Sequence, residues 1–276
     1  MLVVSLGDLV LDVIVRLQQP LAPDADATSR ITLGAGGQAA NVAGWVAAVG
    51  GQARWLGKRG DDLAGRAAAS QLAALGVELA GPVEPAGNGV IVSLVGLDGS
   101  RSMCPDRGVA VELQAAEIGG DAFAGADHLH VSGYALLREP VREAATRAIR
   151  LAREQDIRVS VDLSSWSAIR DRGAERFRAE LGSLEPDVVF CNEDEDRIVG
   201  GRLPGAVWIL KRGASGCSFD GEERPALPVE VVDTTGAGDA LAAGWIVGGP
   251  DLALEAAARC VARAGSMPDG DASGGG

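Results

Sequence analysis

Hydrophobic positions in this chain alternate between short apolar runs and stripes at helical spacing. Leu2–Leu6 reads as a central strand, and 9–17 as a second extended run broken by the carboxylate of Asp12. Short apolar runs at 53–56, 128–131, 158–161, 187–190 and 207–210 predict further strands between turn residues. Helical spacing runs through Val42, Ala43, Val46 and Val49 to a Gly50-Gly51 stop, and from the loop at 57–65 to about Leu75. It recurs over 142–154, 174–181 and 252–264. This β, α, β rhythm predicts a doubly wound α/β fold, with a mostly parallel sheet and helices on both faces. The runs 90–95 and 101–104 flank Asp98-Gly99 as a hairpin, and with 9–17 and 31–33 they would build a separate small sheet. Such a sheet suits a lid that keeps water from a reacting group. Polar residues 18–30, with Pro20 and Pro23, read as a surface excursion, and the Gly/Asp/Ser tail from Pro268 as mobile.

The most informative stretch is 229–247. Val229, Val231 and Val232 predict a short strand ending at Asp233, and an apolar helix follows through Ala240, Leu241, Ala243, Trp245 and Ile246. Between them, Thr234-Thr235-Gly236-Ala237-Gly238 has the small residues of an anion-accommodating turn. Asp239 falls in the first helical turn, where a carboxylate could take the proton of a hydroxyl attacking a phosphoryl group. A Walker A loop is excluded because Asp239-Ala240-Leu241 follows Gly238, and a dinucleotide fingerprint because Leu241 replaces its last small residue. An ordinary strand-to-helix connection fits the same spacing.

Ligands of open α/β sheets collect beyond the carboxyl ends of strands. Asp162, Asn192 with Glu195, and Lys211-Arg212-Gly213 follow predicted strands at such positions. The acidic run 192–196 reads either as a solvated helix start or as a group acting on magnesium through water. Lys211 reads as a surface cation or a triphosphate contact. Asp12 is either a solvent-facing residue of an edge strand or a grip on substrate hydroxyls. Gly36-Gly37 before a helix, with Asn41 one turn in, serves either close ligand approach or packing of small residues.

Composition narrows the class. The chain has 276 residues, 47% hydrophobic and 4% aromatic, with 39 glycines, which describes a globular protein rather than a fibrous or disordered one. A formal charge of −13 opposes nucleic-acid binding, so any phosphate must be held locally. No apolar run approaches membrane-spanning length, and no basic region precedes the first one, so a cytoplasmic protein is expected. Cys104, Cys191, Cys217 and Cys260 are scattered and read as free thiols. His128 and His130, read as facing opposite sides of a strand, lack the acidic partners of a zinc site.

Together these segments resemble the ribokinase-like family of carbohydrate kinases, the phosphofructokinase-B group. The late signature stands as Asp233-Thr234-Thr235-Gly236-Ala237-Gly238-Asp239, and the early one as Gly36-Gly37-Gln38-Ala39-Ala40-Asn41-Val42-Ala43. Gly57, Gly60, Asp62 and Gly65, and Asn192 with Glu195, fit the same pattern along nearly the whole chain. The resemblance implies one domain over 1–276, with a β lid from about 10–33 and 88–106. It implies ATP, Mg2+ and transfer to a primary hydroxyl of a sugar or nucleoside. Asp239 would be the base, and Gly236, Ala237 and Gly238 the anion hole. Asp12, Gly36, Gly37, Asn41 and Arg107 would meet the substrate. Asn192, Lys211, Gly213, Gly216 and Gly238 would meet the nucleotide, and Glu195 Mg2+ through water. Asp233 and Thr235 match the start of the monovalent-cation (K+) site of part of the family. Relatives also imply a homodimer through the lid. Gln38 replaces the Lys of typical ribokinases, and Ser164-Ser165-Trp166 departs from fructokinase and ketodeoxygluconate-kinase patterns. Trp166 or Tyr134 would be the stacking platform if the substrate were a nucleoside. Loss of catalysis would leave a sugar- or nucleotide-binding regulatory protein.

Overall fold

Val3 and Val4 point to opposite faces of one strand, and each enters a different hydrophobic core. The computed structural model describes residues 1–269, and the tail beyond Asp269 lies outside the described residues. Among the described residues the main sheet has nine strands, in the order Glu222–Arg224, Cys217–Phe219, Val207–Lys211, Val188–Asn192, Arg158–Asp162, His128–Ser132, Leu2–Leu6, Gln52–Leu56 and Glu78–Ala80. The two strands at the Glu222 edge are antiparallel to their neighbours, and the others pair in parallel. From Leu2–Leu6 the chain builds toward Gln52–Leu56, and from His128–Ser132 it builds the other way. The strand order therefore reverses between these two neighbours, which opens a crevice at their carboxyl ends.

One face is covered by Gln38–Ala48, Leu63–Ala74, Ala237–Gly248 and Pro250–Val261, around Trp45, Trp55 and Phe190. The other is covered by Val141–Arg153, Trp166–Arg172, Ala174–Ser183 and Glu193–Val199, around Phe123, Leu129 and Phe177. Each fully buried Leu or Phe contributes about 1.5–3 kcal/mol, so these layers fix where the strand ends lie. A second sheet has the order Ser29–Gly36, Val10–Leu17, Asn88–Val95 and Arg101–Gly108. It contains the expected hairpin, with its second strand running on to Gly108.

Three expectations need correction. The 229–232 segment is not a strand. Pro225 and Pro228 remove amide donors just before it, the adjacent sheet edge is already taken by Glu222–Arg224, and Val231 and Val232 are 60% and 53% exposed. The last helix is Pro250–Val261 rather than 252–264. His128 and His130 share a face, as residues two apart on a strand must. Their Nε2 and Nδ1 atoms lie 2.7 and 2.9 Å from the one Ser160 hydroxyl. Burial lowers both imidazoles to about 3, so they are neutral core groups.

Candidate active site

The Ala237–Gly248 helix starts from Gly236, whose φ of +79° suits only glycine at little cost. A Cβ there would also lie 2.7 Å from Ser266 Cβ. Gly238 has a helical backbone instead. Its missing side chain leaves room for Lys211, whose Nζ would be 3.2 Å from an added Cβ. First-turn amides have no helical acceptor, so the Gly238 and Asp239 N–H groups suit an anion. Beside them, the Asp239 Oδ2 accepts from Asn41 Nδ2 at 2.7 Å. Asn41 Oδ1 in turn accepts from the Ser266 hydroxyl at 3.0 Å. Burial pushes the Asp239 carboxyl up to about 7; Asn41 and Lys211 oppose the shift, and the charges of Asp162 and Asp8 add to it. A carboxylate balanced near neutral pH is suited to general-base work. Asn41, expected against substrate, thus bonds Asp239 in this structure.

Across the crevice stand two carboxylates, Asp8 just after Leu2–Leu6 and Asp12 on the second sheet. The Oδ1 of each is buried without a hydrogen-bond partner. Burial pushes Asp12 up to about 6, helped by Asp8 and opposed by Arg101. Asp8 drew no role in the reading of the sequence, although a carboxylate four residues before Asp12 was a usable signal. Arg107 pairs with Asp8 and lies 3.8 Å over the Tyr134 ring, between the second sheet and the crevice. Gly36 and Gly37 clear space for these acids. A Cβ on Gly36 would strike the Asp12 carboxylate, and one on Gly37 would lie 2.5 Å from the Asp8 carbonyl oxygen. The Gln38 side-chain carbonyl accepts from the hydroxyls of Ser132 and Ser164, the latter at a φ of +71°. Of the two rings expected to stack on a base, Tyr134 has Arg107 3.8 Å over its face, and Trp166 is 43% exposed with Arg170 beside it.

On the other side of Asp239, Lys211 ends Val207–Lys211 and bonds Asp162 Oδ2 at 2.6 Å. Its side chain is only 16% exposed, so it is no surface cation. Burial alone would lower its pKa, but Asp162 and Glu195 more than reverse this and keep it charged. Asn192 caps Glu193–Val199, and Glu195 returns 2.9 Å contacts to its backbone and side-chain nitrogens. Burial raises the Glu195 pKa, with Lys211 opposing and Asp162 adding. The turn Gly213–Ser215 follows on the surface, and Gly216, at a φ of +99°, packs against the Arg224–Ala226 backbone. Among the described residues no three His, Cys, Asp or Glu side chains form a metal cage.

Asp233 and Thr235 do not offer an open alkali-cation site. Asp233 Oδ1 accepts from the Thr235 amide at 2.9 Å, the Thr235 hydroxyl at 2.7 Å and Arg101 at 2.7 Å. Its Oδ2 takes Arg16 at 3.3 Å and the Gly265 amide at 3.1 Å. Burial would raise this carboxyl, but these donors hold it down at about 2. The residues present do not fit K+.

The sequence and the fold are similar to those of known proteins. A protein from Halopiger xanaduensis described as an ATP-dependent ribose-1-phosphate kinase is 32% identical, over 94% of this chain and 90% of its own length. Fructokinase-1 of Oryza sativa is 31% identical, over 87% of this chain and 80% of its own. The adenosine kinase structure from Sinorhizobium meliloti superposes with a TM-score of 0.82 at 24% identity, over 96% of this chain and 95% of its own, a likeness of fold. The pfkB carbohydrate kinase model matches residues 1–267. From signature, fold and crevice together, the chain belongs to the pfkB family of carbohydrate kinases.

Proposed function

We propose that this kinase transfers the γ-phosphoryl group of ATP to a primary hydroxyl of a sugar. The observation that carries the reading is the placement of Asp239, raised to about 7, beside first-turn amides and within the same crevice as the partnerless oxygens of Asp8 and Asp12. Sugar hydroxyls would donate to those two acids. Asp239 would take the proton of the attacking hydroxyl as its oxygen bonds phosphorus and the β–γ bridging bond breaks, releasing ADP. The amides after Gly236 and the Lys211 ammonium would bear the charge of the transferring group.

The phosphate side holds hard carboxylate oxygens on Asp162 and Glu195, with Lys211 as their near counter-charge. This donor set fits Mg2+ held through water and phosphate oxygens, where the ion would neutralise triphosphate charge. The Halopiger and rice relatives named above both act, by their names, on sugars. The Tyr134 ring beside the Arg107–Asp8 pair is already covered by the guanidinium, which favours a sugar over a nucleoside.

ADP release with pentoses, hexoses, sugar phosphates and nucleosides tests the reading. Stimulation by a sugar supports it, stimulation by nucleosides alone replaces the substrate class, and binding without turnover indicates a regulatory protein. For Asp12→Ala, kcat/KM for the sugar should fall tenfold to several hundredfold, since each hydrogen bond to a charged acceptor contributes about 1.5–3 kcal/mol. ATP affinity measured by calorimetry should hardly change. An unaltered kcat/KM would place Asp12 outside the sugar site.

A further inference from the structure

Arg16, Val95 and Arg101 form one row across three strands of the second sheet, with Arg16 opposite Val95 and Val95 opposite Arg101. Residues paired in register share a face, so the two arginines flank a buried valine and reach the same way. Both end on Asp233, whose side chain has 0% exposure. Asp233 accepts from both the amide and the hydroxyl of Thr235, the residue immediately before Gly236. A chain of direct contacts thus runs from the small sheet, through one buried carboxylate, to the turn that starts the catalytic helix.

We propose that Arg16 and Arg101 are positioning residues that hold the phosphate-binding turn from the lid through Asp233, making turnover independent of a monovalent cation. A buried carboxylate needs positive charge and donors around it. Here two guanidinium groups supply the charge, and Thr235 and Gly265 complete the donor set. An alkali ion would have to displace a guanidinium or sit against one, and like charges at that distance repel. Arg101 is also close enough to Asp12 to act on its charge. The same side chain therefore faces the sugar-gripping carboxylate and the turn that receives the phosphoryl group. Closing the lid over a sugar and ordering the phosphate turn become one event rather than two. An exchangeable ion bound at Asp233 would order the turn without reference to the lid.

This inference rests on the phosphotransfer reading for its kinetic arm but not for its melting arm. Initial rates of the whole enzyme with ATP, Mg2+ and an accepted sugar should agree within about twofold in potassium, sodium and choline chloride at matched ionic strength. Melting temperatures in the three salts should also coincide. In Arg16→Gln/Arg101→Gln, kcat should fall at least about tenfold, as for a displaced transition-state donor. Sub-denaturing guanidinium or potassium, but not choline, should restore part of the rate and raise the melting temperature. A purely structural role would lower stability without this cation selectivity. Several-fold potassium stimulation of the wild type overturns the proposal, as does a double variant with unchanged kcat or one indifferent to the cation. If the double variant does not fold, Arg16→Gln carries the same comparison with the same outcomes. If no sugar is turned over, the phosphotransfer reading fails, and the melting series alone decides whether Asp233 is closed to alkali ions.

Discussion

Asp239→Asn is expected to lower kcat by at least about a hundredfold, within the 10²–10⁴ range of general-base contributions. Asparagine keeps the shape of the side chain but cannot accept the hydroxyl proton. The neighbouring amides and Lys211 remain, so calorimetry should still show both ligands bound. The pH dependence has a definite sign. With its pKa raised from 3.8 to about 7, wild-type Asp239 is protonated below neutrality, so the rate should fall as pH drops through about 7. By linkage, a raised carboxyl pKa adds stability that is full below pH 3.8 and is lost as pH rises through 7. At pH 8 the wild type therefore carries an ionised group that the variant lacks, and the variant should melt no lower. Turnover within about threefold of wild type would remove Asp239 as the base. A variant that fails to fold would make the carboxylate structural.

Lys211→Met should cost about 10²–10³ in kcat, the size expected when a fixed stabiliser of developing oxyanion charge is removed. It should also destabilise the fold, because Asp162, with a side chain 1% exposed, is left without its counter-charge. The two effects separate in Lys211→Met/Asp162→Asn. That double variant removes the stranded charge and should recover most of the lost melting temperature without recovering kcat. If the rate returns together with stability, Lys211 serves only to neutralise Asp162 and does not act on the phosphoryl group.

The turn from Gly236 to Asp239 was legible because its geometry is local. Gly236, Gly238 and Asp239 need only a helix start and bare backbone, and both are written in adjacent residues. Glu78–Ala80, Cys217–Phe219 and Glu222–Arg224 were missed, but the other six strands of the main sheet were legible for a related reason, since a strand buried on both faces shows as a short apolar run. Residues whose role depends on distant partners were not. Arg16 and Arg101 look like solvent-facing charges on a half-exposed sheet, and only the fold places them on Asp233 across 217 and 132 residues of sequence. Asn41 was expected at the crevice, but its bond to Asp239, which spans 198 residues, was not foreseen. The valines at 229–232 misled for the opposite reason. Their local pattern is that of a strand, but the fold gives them no strand to pair with.

The neutral, buried pair His128 and His130 has a consequence for how this enzyme can be watched. Histidine usually dominates proton traffic between pH 5 and 8, and here both imidazoles are held near 3 and stay silent. The carboxyls that burial pushes upward are Asp12 to about 6, Asp239 to about 7, and Glu195, all of them facing the crevice. Protons released or taken up as sugar or nucleotide enters therefore carry little side-chain background. Repeating a ligand titration in buffers of different ionisation heat turns the whole protein into an indicator of its own crevice.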